Sequence, residues 1–191
     1  MSQSAPSRRT PGKPSRPSVG APAARRAAAT APGAGAGDVR WLAPEEESAW
    51  RAMMAMMVQL PWALECQLQR DAQLSVVEYH ALAMLSEREN HTMRMSELAA
   101  LTNASLSRLS HLIKRLEARG FVRREPDPAD GRYTWAIMTD EGYRHLVASA
   151  PGHLREVRDL VMDALTPEQV AALRDISGRV LARLGRAETP G

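Results

Sequence analysis

Cysteine is nearly absent from this 191-residue chain, and Cys66 is the single example. An intramolecular disulfide is therefore excluded, which suits a reducing cytosol and predicts a cytoplasmic protein. Aromatic residues make up only 4% of the sequence, a composition that argues against a β-sandwich and favours helix. No run of 18 apolar residues occurs, so we expect no membrane span and no membrane partner. The basic N-terminus is not followed by an apolar stretch, so the sequence predicts no secretory signal.

Motifs for catalysis and for metal binding are also lacking. We find no glycine-rich phosphate loop, no Ser/His/Asp arrangement in a recognisable context and no pair of carboxylates suited to acid–base chemistry. The five histidines are scattered, and His80 and His91 have no carboxylates at ligand spacing. We therefore expect a binding protein rather than an enzyme, with no cofactor and no metal.

Charge is present in blocks of alternating sign. The net charge is +6 over residues 1–40, −5 over 41–102, +5 over 103–124 and −3 over 125–191. Residues 1–40 are rich in Ala, Pro, Ser and Gly without an apolar period, which predicts a disordered tail. This tail is either a solubilising leader or a basic arm that adds weak affinity for DNA. The short basic block within an otherwise acidic body indicates a directed contact with an anion.

The spacing of apolar residues from Trp50 to Leu68 predicts a long amphipathic helix with a kink at Pro61. Its apolar face exceeds what one small domain needs, so part of it is expected to face another subunit. Capping patterns predict where the later helices begin, with caps at Ser75, Ser96, Ser105, Thr139 and Thr166. The helix after Thr139 is expected to reach Leu165 with an interruption at Pro151-Gly152.

The same periodicity predicts which side chains point inward from the second, third and fourth helices. For the second helix these are Val77, Ala81, Met84 and Leu85. For the third they are Leu98, Ala99 and Leu101. For the fourth they are Leu106, Leu109, Leu112, Ile113 and Leu116.

The stretch Met95–Thr139 combines a short helix, a turn, a second helix with a basic polar face and a hairpin. The second helix is expected to stop at Gly120. Two strands, Phe121–Glu125 and Tyr133–Thr139, flank a loop that contains Asp130-Gly131. Together these elements predict a helix-turn-helix with a β-wing, for which double-stranded DNA is the expected partner.

The candidate DNA contacts fall into two groups. On the second helix the residues expected to face bases or phosphates are Ser105, Ser107, Arg108, His111, Lys114 and Arg115. On the wing, Arg132 can enter the minor groove while Asp130 fixes its orientation. Arg123 and Arg124, on the first wing strand, can grip the flanking backbone.

Three segments carry a family resemblance: Met95–Ala99, Leu112–Val122, and Asp130-x-Arg132 followed by Ile137–Gly142. With these segments, residues 41–185 resemble the MarR family of winged-helix transcription regulators, although Met138 stands where the family has Leu. The resemblance implies a mainly α fold with a small β-wing, whose core spans about 72–142. It also implies dimerisation through helices at about 44–70 and 140–185, while residues 186–191 fray.

The resemblance implies a homodimeric, nucleoid-associated regulator that binds palindromic operators, usually as a repressor and often with release by a small ligand. Many members of the family bind phenolic or other aromatic anions, and the candidates for such an effector site are Trp62, Tyr79, His80 and Arg94. Taken one by one, Trp62 and Tyr79 are also explained as core residues. A protein-interaction winged helix and a DNA-binding regulator without ligand sensing remain alternatives. Cys66 does not match the position of the family's oxidant-sensing cysteine, and we expect a buried, inert thiol.

Overall fold

The computed structural model describes residues 40–187. The chain divides into two units, Met1–Ala43 and Pro44–Gly191. Of the first unit only residues 40–43 are described, and they form neither helix nor strand. The tail predicted for residues 1–40 therefore lies almost wholly outside the described residues, as do the last four residues of the chain. Across residues 40–187, no helix is both long and apolar enough to span a membrane.

The second unit is mainly helical. Its α-helices are α1 Pro44–Ala72, α2 Val76–Ser86, α3 Met95–Leu101, α4 Leu106–Ala118, α5 Asp140–Leu160 and α6 Pro167–Ala187. Its strands are β1 Thr92–Arg94, β2 Val122–Pro126 and β3 Thr134–Met138. Short 3₁₀ turns, Glu89–His91 and Met162–Ala164, precede β1 and follow α5.

The strands form one antiparallel sheet in the order β1-β3-β2. β2 and β3 form the predicted hairpin, paired from Val122 opposite Met138 to Pro126 opposite Thr134. β1 adds to the other edge of β3, where Arg94 lies opposite Trp135. The mainly α fold with a small β-wing is thereby confirmed.

Most of the predicted helix starts are confirmed by their caps. Ser75 and Glu78 form a reciprocal capping box at the start of α2. The hydroxyl of Thr139 accepts from the Gly142 backbone N–H at 3.1 Å, and Thr166 and Gln169 exchange two bonds before α6. The cap predicted at Ser96 is wrong. β1 ends at Arg94 and leads directly into α3, so the helix already begins at Met95.

The interruption predicted at Pro151-Gly152 is also wrong, because α5 continues through both residues to Leu160. A proline inside a helix removes one hydrogen bond, and packing against a neighbouring element can compensate for this loss. That neighbour is α1, whose Gln67 side chain lies against Gly152. The helix stops short of the predicted Leu165, since Val161 leaves helical geometry at φ −128°.

The hydrophobic core lies between α2, α3, α4, the sheet and the ends of α1 and α5. Its fully buried members include Leu68, Leu74, Ala81, Leu82, Leu85, Leu98, Leu109, Ile113, Leu116 and Ala136. Three residues predicted to point inward are exposed instead, namely Val77, Leu101 and Leu106. In α2 the buried positions are Glu78, Ala81, Leu82 and Leu85. Val77 precedes this stripe by one residue and is therefore turned about 100° away from it.

A close backbone approach joins α5 to the end of α4. A Cβ atom on Gly142 would lie 2.2 Å from the carbonyl oxygen of Phe121, so only glycine fits there. Thr139 reinforces this junction, because its hydroxyl donates to the Gly120 carbonyl at 2.6 Å. Gly120 itself ends α4 with a φ of +74°, a conformation that glycine adopts without strain.

Large apolar side chains of α1, α5 and α6 remain exposed. On α1 they are Trp50, Met54, Met56, Met57, Val58 and Trp62, and on α5 and α6 they include Leu154, Leu160, Ile176, Val180, Leu181 and Leu184. So many exposed apolar residues exceed what a monomer normally shows to water. Cys66, on the same first helix, is exposed rather than buried as predicted, because the buried positions of α1 are Gln67, Leu68 and Ala72.

Candidate nucleic-acid interface

The helix-turn-helix consists of α3, the turn Thr102–Ala104 and α4. Asn103 takes the left-handed conformation at φ +48°, which Asn tolerates better than most residues. The Ala104 N–H donates to the Ala99 carbonyl at 2.9 Å and so fastens the turn to α3. The Ser105 hydroxyl then caps α4 by accepting from the Arg108 backbone N–H at 3.4 Å.

The outer face of α4 carries most of the predicted contacts. Its side chains point to solvent at Ser105, Ser107, Arg108, His111, Lys114 and Arg115. The hydroxyls of Ser105 and Ser107 also lie 3.1 Å apart and share a hydrogen bond. Buried leucines and Ile113 occupy the opposite face, so the core fixes which side of α4 is presented outward.

Arg115 is partly committed inside the protein. Its Nε donates at 2.8 Å to Glu78, whose side chain is 8% exposed, while the arginine side chain is 59% exposed. Burial raises the pKa of Glu78, but hydrogen bonds from Ser75 and Arg115 outweigh burial and bring the pKa below its usual value. Arg115 therefore supports the position of α4 against α2 as well as facing solvent.

The wing presents Arg132 on an exposed loop. Arg132 is 84% exposed, and its Nε donates to the two carboxylate oxygens of Asp130 at 2.9 and 3.1 Å. The Arg132 side chain and backbone N–H together hold the pKa of Asp130 below its usual value. The predicted ion pair is thus present, and it fixes the guanidinium without burying it.

The two arginines of β2 have acidic partners. Arg124 donates from Nε and Nη2 to the Glu117 carboxylate at 3.1 and 2.7 Å, which ties the wing to α4. These bonds lower the pKa of Glu117. Arg123 pairs with Glu125 of the same strand. Each of these guanidinium groups therefore already has an acidic partner within the protein, and a phosphate would have to share it with that carboxylate.

An open cleft of about 400 Å³ lies between the wing and α4, the second helix of the helix-turn-helix and therefore its recognition helix. Its walls are Met95, Ser96, Leu106, Ser110, Arg124, Arg132, Tyr133 and Thr134. The position of Leu106 in this wall explains why it is not part of the core. The cleft brings the start of α4 next to the wing arginines, which is the arrangement a winged helix needs to engage one ligand with both parts.

The four predicted effector residues lie in different environments. Trp62 is 71% exposed, and His80 points to solvent. Tyr79 packs against His153 of α5, with ring centres 4.4 Å apart. Arg94 instead contacts the wing, where it pairs with Asp127 at 2.6 Å. These contacts do not gather the four side chains into one site.

A polar cluster between α1, α2 and α5 was not predicted. Buried Gln67 donates to Asp71 at 2.9 Å, and its carbonyl oxygen lies 3.4 Å from Nδ1 of His153. Burial lowers the pKa of His153 and raises that of Tyr79. The polar residues of this cluster come from distant parts of the sequence, so local spacing gave no signal for it.

The helix-turn-helix, the hairpin wing of the three-stranded sheet and the cleft between them define a winged helix-turn-helix protein. A model of the MarR family matches residues 74–134. Sco3205, a MarR family transcriptional regulator from Streptomyces coelicolor solved in complex with DNA, is 42% identical; the match covers 81% of this chain and 94% of that one, with a TM-score of 0.73. AbsC from the same organism is 38% identical, with 78% and 100% covered and a TM-score of 0.73. The chain belongs to the MarR family of transcriptional regulators.

Curated relatives agree with this assignment. The transcriptional repressor MprA of Escherichia coli K12 is 27% identical over 113 residues, which are 59% of this chain and 64% of MprA. The repressor NicR of Pseudomonas putida is 31% identical over 104 residues, 54% of this chain and 64% of NicR. The chain thus spans a little under two thirds of the length of these relatives.

Proposed function

We propose that this protein is a homodimeric transcriptional regulator that binds palindromic operators in double-stranded DNA and acts as a repressor. The observation that carries the proposal is the cleft in which the recognition helix and the wing arginine Arg132 face the same space. A single DNA duplex can then be contacted by α4 in the major groove and by Arg132 in the minor groove. The DNA complex of Sco3205 supports the same use of the fold.

The proposed contacts divide by role. Arg108 lies exposed in the first turn of α4, where it can offer two donors to guanine, and Ser105, Ser107 and His111 lie beside it. Lys114 is placed further along the helix for phosphate contact. Arg115, Arg123 and Arg124 are shared with carboxylates, so we assign them to phosphate contacts that position the protein without reading sequence.

The proposed dimer is supported by the exposed apolar face on α1, α5 and α6. Burying such a face is the dominant favourable term in most protein association. A two-fold dimer would place two recognition helices about 34–36 Å apart on one side of the DNA, which matches a palindromic site. Light scattering is expected to give twice the mass of the chain, and a stable monomer would refute this part of the proposal.

Regulation by a small aromatic effector is the last part of the proposal. Tyr79 is the best placed of the predicted residues, because it packs against His153 in the polar cluster between α1, α2 and α5. Arg94 is already paired with Asp127. Trp62 and His80 are exposed, so a role for either would require the dimer to enclose them. A panel of simple benzoates and phenols, tested for release of bound DNA, checks this part separately.

The deciding experiment is a mobility-shift assay with the full chain on the DNA upstream of its own coding sequence and on duplexes selected from a random library. We expect specific binding, a steep loss of affinity with salt and a two-fold symmetric footprint. Binding to the upstream DNA, together with reduced transcription from that DNA in a reporter strain that expresses the protein, would support repression. An absence of binding to every duplex at low salt would overturn the proposal and favour a protein-interaction role.

A further inference from the structure

An arginine fastens the wing loop to the opposite edge of the sheet. Arg94 is the last residue of β1, and its Nη2 donates to Oδ2 of Asp127 across 2.6 Å. Asp127 follows the end of β2, which is separated from β1 by β3. The Arg94 side chain therefore crosses one strand to reach its partner. Its guanidinium carbon also lies 4.7 Å from the ring centre of Tyr133 and 5.4 Å from that of Trp135, where cation–π attraction holds it.

The partner of Arg94 is a buried carboxylate. The Asp127 side chain is only 2% exposed, and Asp127 is the one buried residue in the loop 127–133. Its Oδ1 accepts from the Ala129 N–H at 2.9 Å. That N–H, the Arg94 guanidinium and the Trp135 side chain together hold the pKa of Asp127 below its usual value. A buried carboxylate with several donors has a fixed place, and it keeps that place only while its partners are present.

Backbone hydrogen bonds lead from Asp127 to the tip of the wing. The Asp127 N–H donates to the Tyr133 carbonyl at 2.9 Å, and the Tyr133 N–H donates to the Asp130 carbonyl at 3.0 Å. Asp130 then holds the Arg132 guanidinium. The remaining residues of the loop are exposed or half-buried, so the core does not fix its direction. Within this loop, Asp127 is the side chain anchored in the interior, and the Asp130–Arg132 pair lies further along the same loop.

We propose that Arg94 and Asp127 are positioning residues, which set the direction in which the wing presents Arg132 to DNA. The proposal rests on the DNA-binding function proposed above. It removes Arg94 from the candidate effector site and gives it a role in recognition without contact to DNA. It also distinguishes Arg132, which would contact DNA, from the Arg94–Asp127 pair, which would orient the loop that carries Arg132.

Asp127→Asn tests the proposal by whether it weakens or tightens binding to DNA. If charge alone mattered, loss of a negative charge near DNA would tighten binding. The amide has one acceptor oxygen, so either the Ala129 N–H or Arg94 would face an NH₂ group. We therefore expect binding to a duplex selected by the unaltered chain to weaken about tenfold. Equal or tighter binding by the folded variant would overturn the proposal.

A double-mutant cycle supplies the second arm. Arg94→Gln is expected to weaken binding about tenfold in the unaltered chain and about twofold or less in the Arg132→Ala background, because the pair acts through Arg132. Additive losses would show a direct contact of Arg94 with DNA, or a general structural role, and would overturn the proposal. Arg158→Gln, which removes one charge from the exposed pair between Arg158 of α5 and Asp163 of the following turn, is the control and should change affinity little.

Thermal unfolding and light scattering check that each variant folds and assembles. Should Arg94→Gln not fold, Arg94→Lys takes its place in the cycle, because it retains the charge with a single donor group. It is expected to weaken binding by less than about tenfold, and by less again in the Arg132→Ala background. Full affinity with Lys would overturn the role of the guanidinium fork. If the unaltered chain selects no duplex, the proposed function fails and this inference fails with it. If it does select one and the cycle is additive, only this inference fails.

Discussion

Arg115 of the recognition helix donates from Nε to Oε1 of Glu78 across 2.8 Å, although 37 positions separate the two residues. The same carboxylate accepts from the Ser75 N–H at 2.9 Å and completes the capping box of α2. One buried acid thus joins the start of α2 to the outer face of α4. The orientation of the proposed DNA-reading helix therefore depends on the charge of Glu78.

This relationship predicts a pH dependence of stability. The folded-state pKa of Glu78 lies below its usual value, so the stabilisation is complete above the unfolded pKa, near 4.5, and is lost as pH falls through the folded value. Glu78→Gln is expected to lower the free energy of unfolding by about 1–3 kcal/mol at pH 7. Urea unfolding of the unaltered chain and of Glu78→Gln from pH 7 to pH 3 measures this loss. The difference in their free energies of unfolding should shrink towards low pH. A difference that stays constant with pH would contradict the role given to the Glu78 charge.

Gly142→Ala is expected to destabilise the fold by several kcal/mol, in the upper part of the range for point substitutions (roughly 3 kcal/mol or more). The added methyl would sit 2.2 Å from a backbone oxygen, so α5 or the end of α4 must move. Gly178→Ala in α6 is the matched control, because its Cβ would meet nothing within 4 Å. That substitution should stabilise by about 0.5–1 kcal/mol through helix propensity. Similar melting temperatures for the two variants would refute the close approach.

Arg132→Ala is expected to weaken operator binding about tenfold or more while the dimer remains intact. The side chain is exposed and bound only to Asp130 among its described partners, so its removal disturbs no packing. Fluorescence anisotropy with light scattering on the same samples measures both properties. Unchanged affinity at physiological salt would show that the wing does not reach DNA.

Arg108→Ala is expected to cost about 1–3 kcal/mol in operator binding and to relax the preference at one base position in each half-site. Lys114→Ala on the same face provides the comparison. It should weaken all duplexes alike and reduce the salt slope by about one. Competition for the protein among duplexes that differ by single base pairs distinguishes the base contact proposed for Arg108 from the phosphate contact proposed for Lys114. A uniform loss with Arg108→Ala would assign this residue to phosphate instead.

Four of the helix starts were predictable because caps act within a few residues. Ser75, Ser105, Thr139 and Thr166 each bond to the backbone three positions on, so the signal is contained in the local sequence. The Asp130–Arg132 pair spans two positions and was predictable for the same reason.

Contacts between distant residues were not predictable in this way. Arg94 reaches Asp127 and Arg115 reaches Glu78 only after the sheet and helices are assembled. The family resemblance therefore placed Arg94 with the effector candidates, and helical spacing placed Arg115 among the DNA-facing residues without revealing its partner Glu78. Similarly, periodicity defined apolar stripes but not their edges, which is why Val77 and Leu106 were assigned to the core although they are exposed.

The unbroken course of α5 has a mechanical consequence. Its first turn is fixed to the end of the recognition helix through Thr139 and Gly142, and its 21 residues carry it to Leu160. A straight helix of that length is about 30 Å long. A tilt of about 5° at the Leu160 end would displace it by about 2.5 Å relative to the fixed end, close to the length of a hydrogen bond. The helix thus acts as a rigid arm, and a small shift at its Leu160 end, where the turn Met162–Ala164 follows, would rotate its first turn together with the end of α4.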